Sequence, residues 1–136
     1  SLGNFVNVTL ENQEWKTYLD SSKQGNFDVR RAGWCADYNE ASTFLVIAMT
    51  ENGSNDQKYS SDVFDKAMSD AIRVAKDEAE RNGYYAIAEA QLAQDMPIAP
   101  IYQYVQPRLV GTHVGGYPDQ NPQDNIYSKD MFIIAE

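Results

Sequence analysis

The chain has 136 residues, 43% of them apolar, a formal net charge of −9 and one cysteine and one histidine. That length suits one domain with an ordinary core, and no apolar run approaches the roughly 20 residues that span a bilayer. The acidic balance argues against a nucleic-acid partner, because phosphate binding needs clustered Lys and Arg. One His and one Cys far apart give no metal-ligand set, so neither a metal nor a cofactor is expected.

Taken in chain order, Phe5, Val6, Val8 and Leu10 form a short β-branched run that reads as a strand. Glu11-Asn12 offers a cap, and Trp15, Tyr18 and Leu19 share one face of a helix ending near Gly25. Phe27 to Ala32 reads as a second strand, making a βαβ unit with parallel strands and a right-handed crossover. Ala41 to Met49 is predicted as a helix or helical turn, and Thr50 to Ser60 as a solvated loop rich in Gly, Asn and Ser. Ser61-Asp62 caps a helix with the stripe Phe64, Met68, Ile72 and Val74 or Ala75. A further helix over about Asp77 to Asp95 stacks Tyr84, Ala88, Leu92 and Met96, with Gly83 as a point of kinking or close approach, and the two helices form a hairpin turning near Lys76. Pro97 to Val105 reads as an extended edge or crossing segment. A Gly/Pro-punctuated tail follows and closes with a short strand at Met131 to Ile134.

The segment Phe27 to Glu40 concentrates chemistry: Arg30 and Arg31, Trp34, the lone Cys35 and the isolated Asp37, beyond the carboxyl end of a predicted strand. Ligand sites of open α/β sheets lie at that end. An aromatic wall with one anion and one cation suits a zwitterion such as a peptide. Each residue has a plainer alternative. Asp37 fits an N-cap for the helix near Ala41 or a turn aspartate. Arg31 fits a solvated strand residue or an ion pair with an acidic neighbour. Trp34 fits a core aromatic, and Cys35 a buried inert thiol. Arg30 alternates to the other face of the strand and reads as structural. A cysteine hydrolase built on Cys35 and His113 is disfavoured, since 78 residues separate them and no triad signature surrounds either.

The wording "RAGWCADYNE" (Arg31 to Glu40) resembles the periplasmic oligopeptide-binding proteins, the solute receptors of ABC peptide importers. So do "NQEWKTYLD" (Asn12 to Asp20), the series Arg81, Tyr85, Ala88, Glu89, Leu92, Asp95, Pro97, Pro100 and Tyr102, and the tail stretches "LVGTHVGGY" (Leu109 to Tyr117) and "DNIYSKDMFI" (Asp124 to Ile133). The resemblance implies an α/β fold, part of a type II periplasmic-binding-protein lobe with the βαβ unit, the helical hairpin and a returning C-terminal segment. Residues 1–96 would belong to the second ligand-binding lobe and 97–136 to the hinge and return toward the first. Such receptors are several times longer, so the resemblance and the absence of an initiating methionine imply the C-terminal quarter of one.

The same resemblance implies a periplasmic, non-enzymatic protein with an oligopeptide ligand and an inner-membrane ABC permease as partners. A paralogue for cell-wall peptide, dipeptide or haem is the alternative. The implied peptide-binding residues are Asp37 for the α-amine, Arg31 for the C-terminal side, Trp34 for a side-chain pocket, and the main chain of Ala32, Gly33, Trp34 and Cys35. Cys35 is implied to pair with a cysteine upstream of residue 1, and surface normally covered by the rest of the lobe to favour non-physiological self-association. Ser22 departs from an arginine of relatives, with Lys23 as a substitute charge, and His113 from a bulky aromatic.

Overall fold

A computed structural model describes residues 5–119, 121 and 123–135. Helix α1 spans Trp15–Gln24, α2 Ser42–Leu45 with a 3-10 turn Val46–Ala48 behind it, α3 Asp62–Arg73 and α4 Glu78–Asp95. A two-stranded antiparallel ladder pairs β1 (Val114–Gly115) with β2 (Phe132–Ile133), in register Val114 to Ile133 and Gly115 to Phe132. No described helix is long and apolar enough to cross a membrane.

Local chemistry sets the helix ends. The Ser61 hydroxyl accepts from the Phe64 N–H, and the Asp77 carboxylate accepts from the Glu80 N–H at 2.8 Å, so α3 and α4 start where capping residues stand. Gly25 takes φ 74°, and its N–H closes the last turn of α1. The cap of α1 is Glu14 and not Glu11-Asn12: its carboxylate accepts from Lys16 and Thr17.

The core belongs to the helical hairpin and the turn before it. Leu45, Ala48, Phe64, Ala67, Met68, Ala71, Tyr85 and Ala88 are buried together, with Val46, Met49, Tyr59, Tyr84 and Leu92 packed against them. The stripe is rotated from the expected one: Ala71 faces inward in place of Ile72, Tyr85 is buried more deeply than Tyr84, and Met96 is an exposed left-handed C-cap at φ 49°. Alanines at 67, 71 and 88 let the two helices approach closely, which favours the small-residue face over the bulkier one. A side-chain carbon at Gly83 would meet no other atom within 4 Å, so no close helix contact requires the glycine.

The loop after α2 is more organised than its polar composition predicts. Asn55 is buried, donating from Nδ2 to the carbonyls of Met49 and Tyr59 and accepting from the Tyr59 N–H. Three bonds from one amide satisfy the turn.

The segments expected as strands, Phe5 to Leu10 and Phe27 to Ala32, carry no ladder, and neither does Pro97 to Val105. The βαβ pairing is therefore not formed among the described residues, because no neighbouring strand lies beside either segment to accept its N–H groups. The small ladder instead joins the Gly-rich tail to its closing strand. Accessible surface tells the same story: 11266 Å², against about 7,100 Å² for a compact monomer of 15.3 kDa.

Candidate ligand-binding site

Arg30 and Arg31, adjacent in sequence, have opposite fates. Arg30 is held on every side. It donates to the Tyr18 and Ser22 hydroxyls at 3.0 and 3.3 Å, pairs with Asp56 at 3.1 Å and lies over the Phe27 ring. This network ties α1 and the Asn55 loop to the segment, and it confirms the structural reading of Arg30. It also accounts for Ser22, which is buried as Arg30's partner and does not face solvent as a ligand-binding side chain would.

Arg31 forms no ion pair among the described residues. Its Nη2 donates to the Tyr104 hydroxyl at 2.5 Å and reaches the Tyr102 hydroxyl at 3.4 Å. The hydrogen bond to Tyr102, with the tyrosines' partial negative charge, holds the guanidinium pKa above its ordinary value, so Arg31 is a cation throughout the working range. The Tyr18 hydroxyl donates to the Arg31 carbonyl at 2.8 Å and fixes the main chain there.

Residues Ala32 to Cys35 are exposed, and none of their main-chain N–H or C=O groups bonds to another described residue. These main-chain donors and acceptors are therefore unpaired among the described residues. Gly33 lies under the Tyr104 ring: a side-chain carbon there would sit 3.3 Å from Cε2 and the hydroxyl. Trp34 is 37% exposed, and Cys35 is an exposed free thiol. Neither is buried in the core.

Asp37 is the best-defined member. Its N–H donates to the buried Thr43 hydroxyl at 3.0 Å, and its carbonyl accepts from Gln123 Nε2 at 2.9 Å. Its carboxylate has no hydrogen-bond partner among the described residues. The N-cap of α2 is Ala41, without a side-chain cap, so Asp37 does not cap that helix. The backbone is pinned on both sides and the anion is left free.

Behind Asp37 the turn is anchored to the core. Glu40 accepts from the Ser42 N–H at 2.9 Å and from its hydroxyl, and faces Arg81 Nε at 3.6 Å. Arg81 Nε is buried and has no closer partner among the described residues, so this pairing is its compensation there. Partial burial raises the Glu40 pKa, but bonds from Ser42 and Tyr85, with Arg81, outweigh it and hold the carboxyl below the ordinary range. Tyr38 and Ser42 share a further hydroxyl bond at 2.8 Å.

Tyr104, Tyr102, Tyr18 and Gln123 are absent from the sequence-based site. The tyrosines at 102 and 104 carried a signal: an i, i+2 spacing puts two side chains on one face of an extended segment. A broad open groove of about 620 Å³ runs along the tail, lined by Tyr104, Arg108, Val110, Tyr117 and Asp124 among others, and includes none of residues 31–37. Arg108 is spent there on Asp124. His113 contributes its carbonyl to the Ile134 N–H at 2.8 Å beside the small ladder, and no hydrogen bond joins it to Cys35.

The comparisons with known proteins carry the class: the chain is similar to periplasmic solute-binding proteins. The periplasmic oligopeptide-binding protein OppA of Salmonella typhimurium is 53% identical over 129 residues, 95% of this chain and 24% of that protein. The solved structure of the Escherichia coli murein tripeptide binding protein MppA matches with a TM-score of 0.81 at 44% identity, over 96% of this chain and 25% of that one. Haemophilus influenzae OppA, in complex with RPPGFSPFR, matches with a TM-score of 0.78 at 47% identity, over 93% and 25%. No family model matches the chain. The chain belongs to the periplasmic oligopeptide-binding proteins and spans about a quarter of their length. These relatives are binding proteins by name.

Proposed function

We propose that this chain forms part of the ligand-binding lobe of a periplasmic receptor that captures oligopeptides and delivers them to an ABC permease, with residues 97–136 as the return toward the other lobe. The observation that carries this reading is a juxtaposition around one loop: among the described residues, the main chain of 32–35 is unpaired, the Asp37 carboxylate has no hydrogen-bond partner and no carboxylate pairs with the Arg31 cation. Peptides share amide groups and charged termini, so a receptor that accepts many sequences does best to read those features. Strand addition at residues 32–35 supplies the common hydrogen bonds. Asp37 takes the α-amine in a charge-assisted bond, Arg31 serves the carboxylate end, and Trp34 walls a side-chain pocket whose remaining space water fills. The likeness to a murein tripeptide binding protein supports a second reading within the class, a cell-wall peptide as ligand.

The test is calorimetry on the full-length protein that carries this chain. Asp37→Asn keeps the side chain's shape and removes its charge, and should cost about 1.5–3 kcal/mol of peptide binding. N-acetylation of the peptide should weaken binding to the wild type by a comparable amount. Affinity unchanged by acetylation would overturn the role of Asp37.

A further inference from the structure

We infer that Tyr104, assisted by Tyr102, is a positioning residue for ligand recognition: it holds the Arg31 guanidinium beside the free edge at residues 32–35 so that the cation meets the ligand's carboxylate already oriented. The inference rests on the peptide-receptor reading and deepens it, by assigning a specificity-setting role to the return segment, which that reading treats only as a connection.

The two neighbouring arginines differ sharply in their surroundings. Arg30 has an acid, two hydroxyls and a ring around it, and little donor capacity remains. Arg31 is held by two neutral hydroxyls from residues 71 and 73 positions away, both on its Nη2. Its Nε and Nη1 donors have no partner among the described residues. A guanidinium has five donors in a planar fork suited to a carboxylate, so this arrangement fixes the group and leaves most of the fork unused. Orientation by an Asp or Glu would have cancelled the charge the ligand needs. Orientation by phenols does not.

The tether is itself constrained. The Tyr102 and Tyr104 rings meet edge to face, with centroids 5.1 Å apart and planes at 77°, a favoured aromatic geometry. Tyr104 also packs on Gly33, where a side chain would press on its ring and hydroxyl. Rigid tyrosines thus reduce the rotamer freedom an arginine would otherwise lose on binding, which is how preorganisation raises affinity. The Gln123 bond to the Asp37 carbonyl is a parallel tie from the same segment. The return segment therefore touches the loop at both charged positions.

The experiment measures Kd for trialanine and for its C-terminal amide on the full-length protein that carries this chain, as wild type, Tyr104→Phe, Tyr102→Phe and Arg31→Gln. Both peptides keep the α-amine, so the Asp37 contact is constant. Tyr102 and Tyr104 are well exposed, which keeps the fold out of the comparison. The expected result is that the wild type prefers the free acid and Arg31→Gln abolishes the preference. Tyr104→Phe should weaken the acid roughly three- to ten-fold and leave the amide unchanged, with a smaller effect of the same pattern for Tyr102→Phe. Equal losses for both peptides would make Tyr104 a packing residue and overturn the inference, as would no loss for either. If Arg31→Gln keeps the full preference, or the wild type shows none, the role of Arg31 falls and this inference with it. If Arg31→Gln acts and Tyr104→Phe does not, the reading of Arg31 stands and the positioning role alone is wrong.

Discussion

Residues 41–95 and the two arms that flank them solve different problems. The helical unit holds all eight buried apolar residues of the described chain, from Leu45 to Ala88, and caps its own helices. The arms, 5–40 and 97–135, hold none, and between them expose Phe5, Leu10, Val29, Ile101 and Leu109 at 88% or more. Yet the arms carry every residue proposed above to contact a ligand. The difference teaches that the helical unit works as an anchor, to which Thr43, Ser42 and Arg81 fasten the Asp37 turn, while the main chain of residues 32–35 has no partner among the described residues, as the proposed peptide edge requires. A main-chain edge already satisfied by a protein strand could not bind a peptide.

The sharpest break in that comparison comes from one substitution in each region. Phe64→Ala, at a fully buried position, should destabilise the fold by about 3–5 kcal/mol, read as a lower urea midpoint. Trp34→Ala should leave that midpoint in place. A large stability loss from Trp34→Ala would mean that the arm belongs to the core after all.

A smaller effect sits at the joint between the regions. The Glu40 carboxyl is held below its ordinary value of 4.5, so its stabilising contribution is complete above that pH and is lost as pH falls through the lower, folded-state value. Glu40→Gln should cost on the order of 1 kcal/mol at pH 7, and the gap between variant and wild type should close as the pH is taken well below 4.5. A gap independent of pH would assign the effect to shape and not to charge.

Smallest of all is the Lys66 to Asp70 pair at 2.5 Å on the outer face of α3, where the lysine side chain is 74% exposed. Surface pairs of this kind contribute little. Lys66→Ala should leave the urea midpoint unchanged within error and so mark the floor of the series.

What the sequence made legible follows from range. The hairpin of α3 and α4 was readable because its signals are local: Ser61 as a cap, a second helix starting at about Asp77 and Lys76 at the turn, although the buried stripe is rotated from the expected one. Met131 to Ile134 gave its strand for the same reason, at Phe132–Ile133. Its partner at Val114–Gly115 lay hidden in a glycine-rich stretch, since pairing is decided by a neighbour about twenty residues away. The β-branched run at 5–10 shows the converse, a strand-like composition with no strand beside it. At the site, Asp37 and Arg31 stood out by type. What could not be read was that Tyr104 and Gln123, 73 and 86 positions from their partners, would close on them.

The most direct test of the central claim, that residues 32–35 are a free edge which a peptide completes, is amide hydrogen exchange on the full-length protein with and without peptide. Without ligand, the Gly33, Trp34 and Cys35 amides should exchange near the rate of solvated chain, while α3 and α4 are strongly protected. Saturating peptide should slow exchange at 32–35 by at least about tenfold and leave the helical hairpin unchanged. Exchange at 32–35 that is already slow without ligand, or that peptide does not alter, would contradict the account.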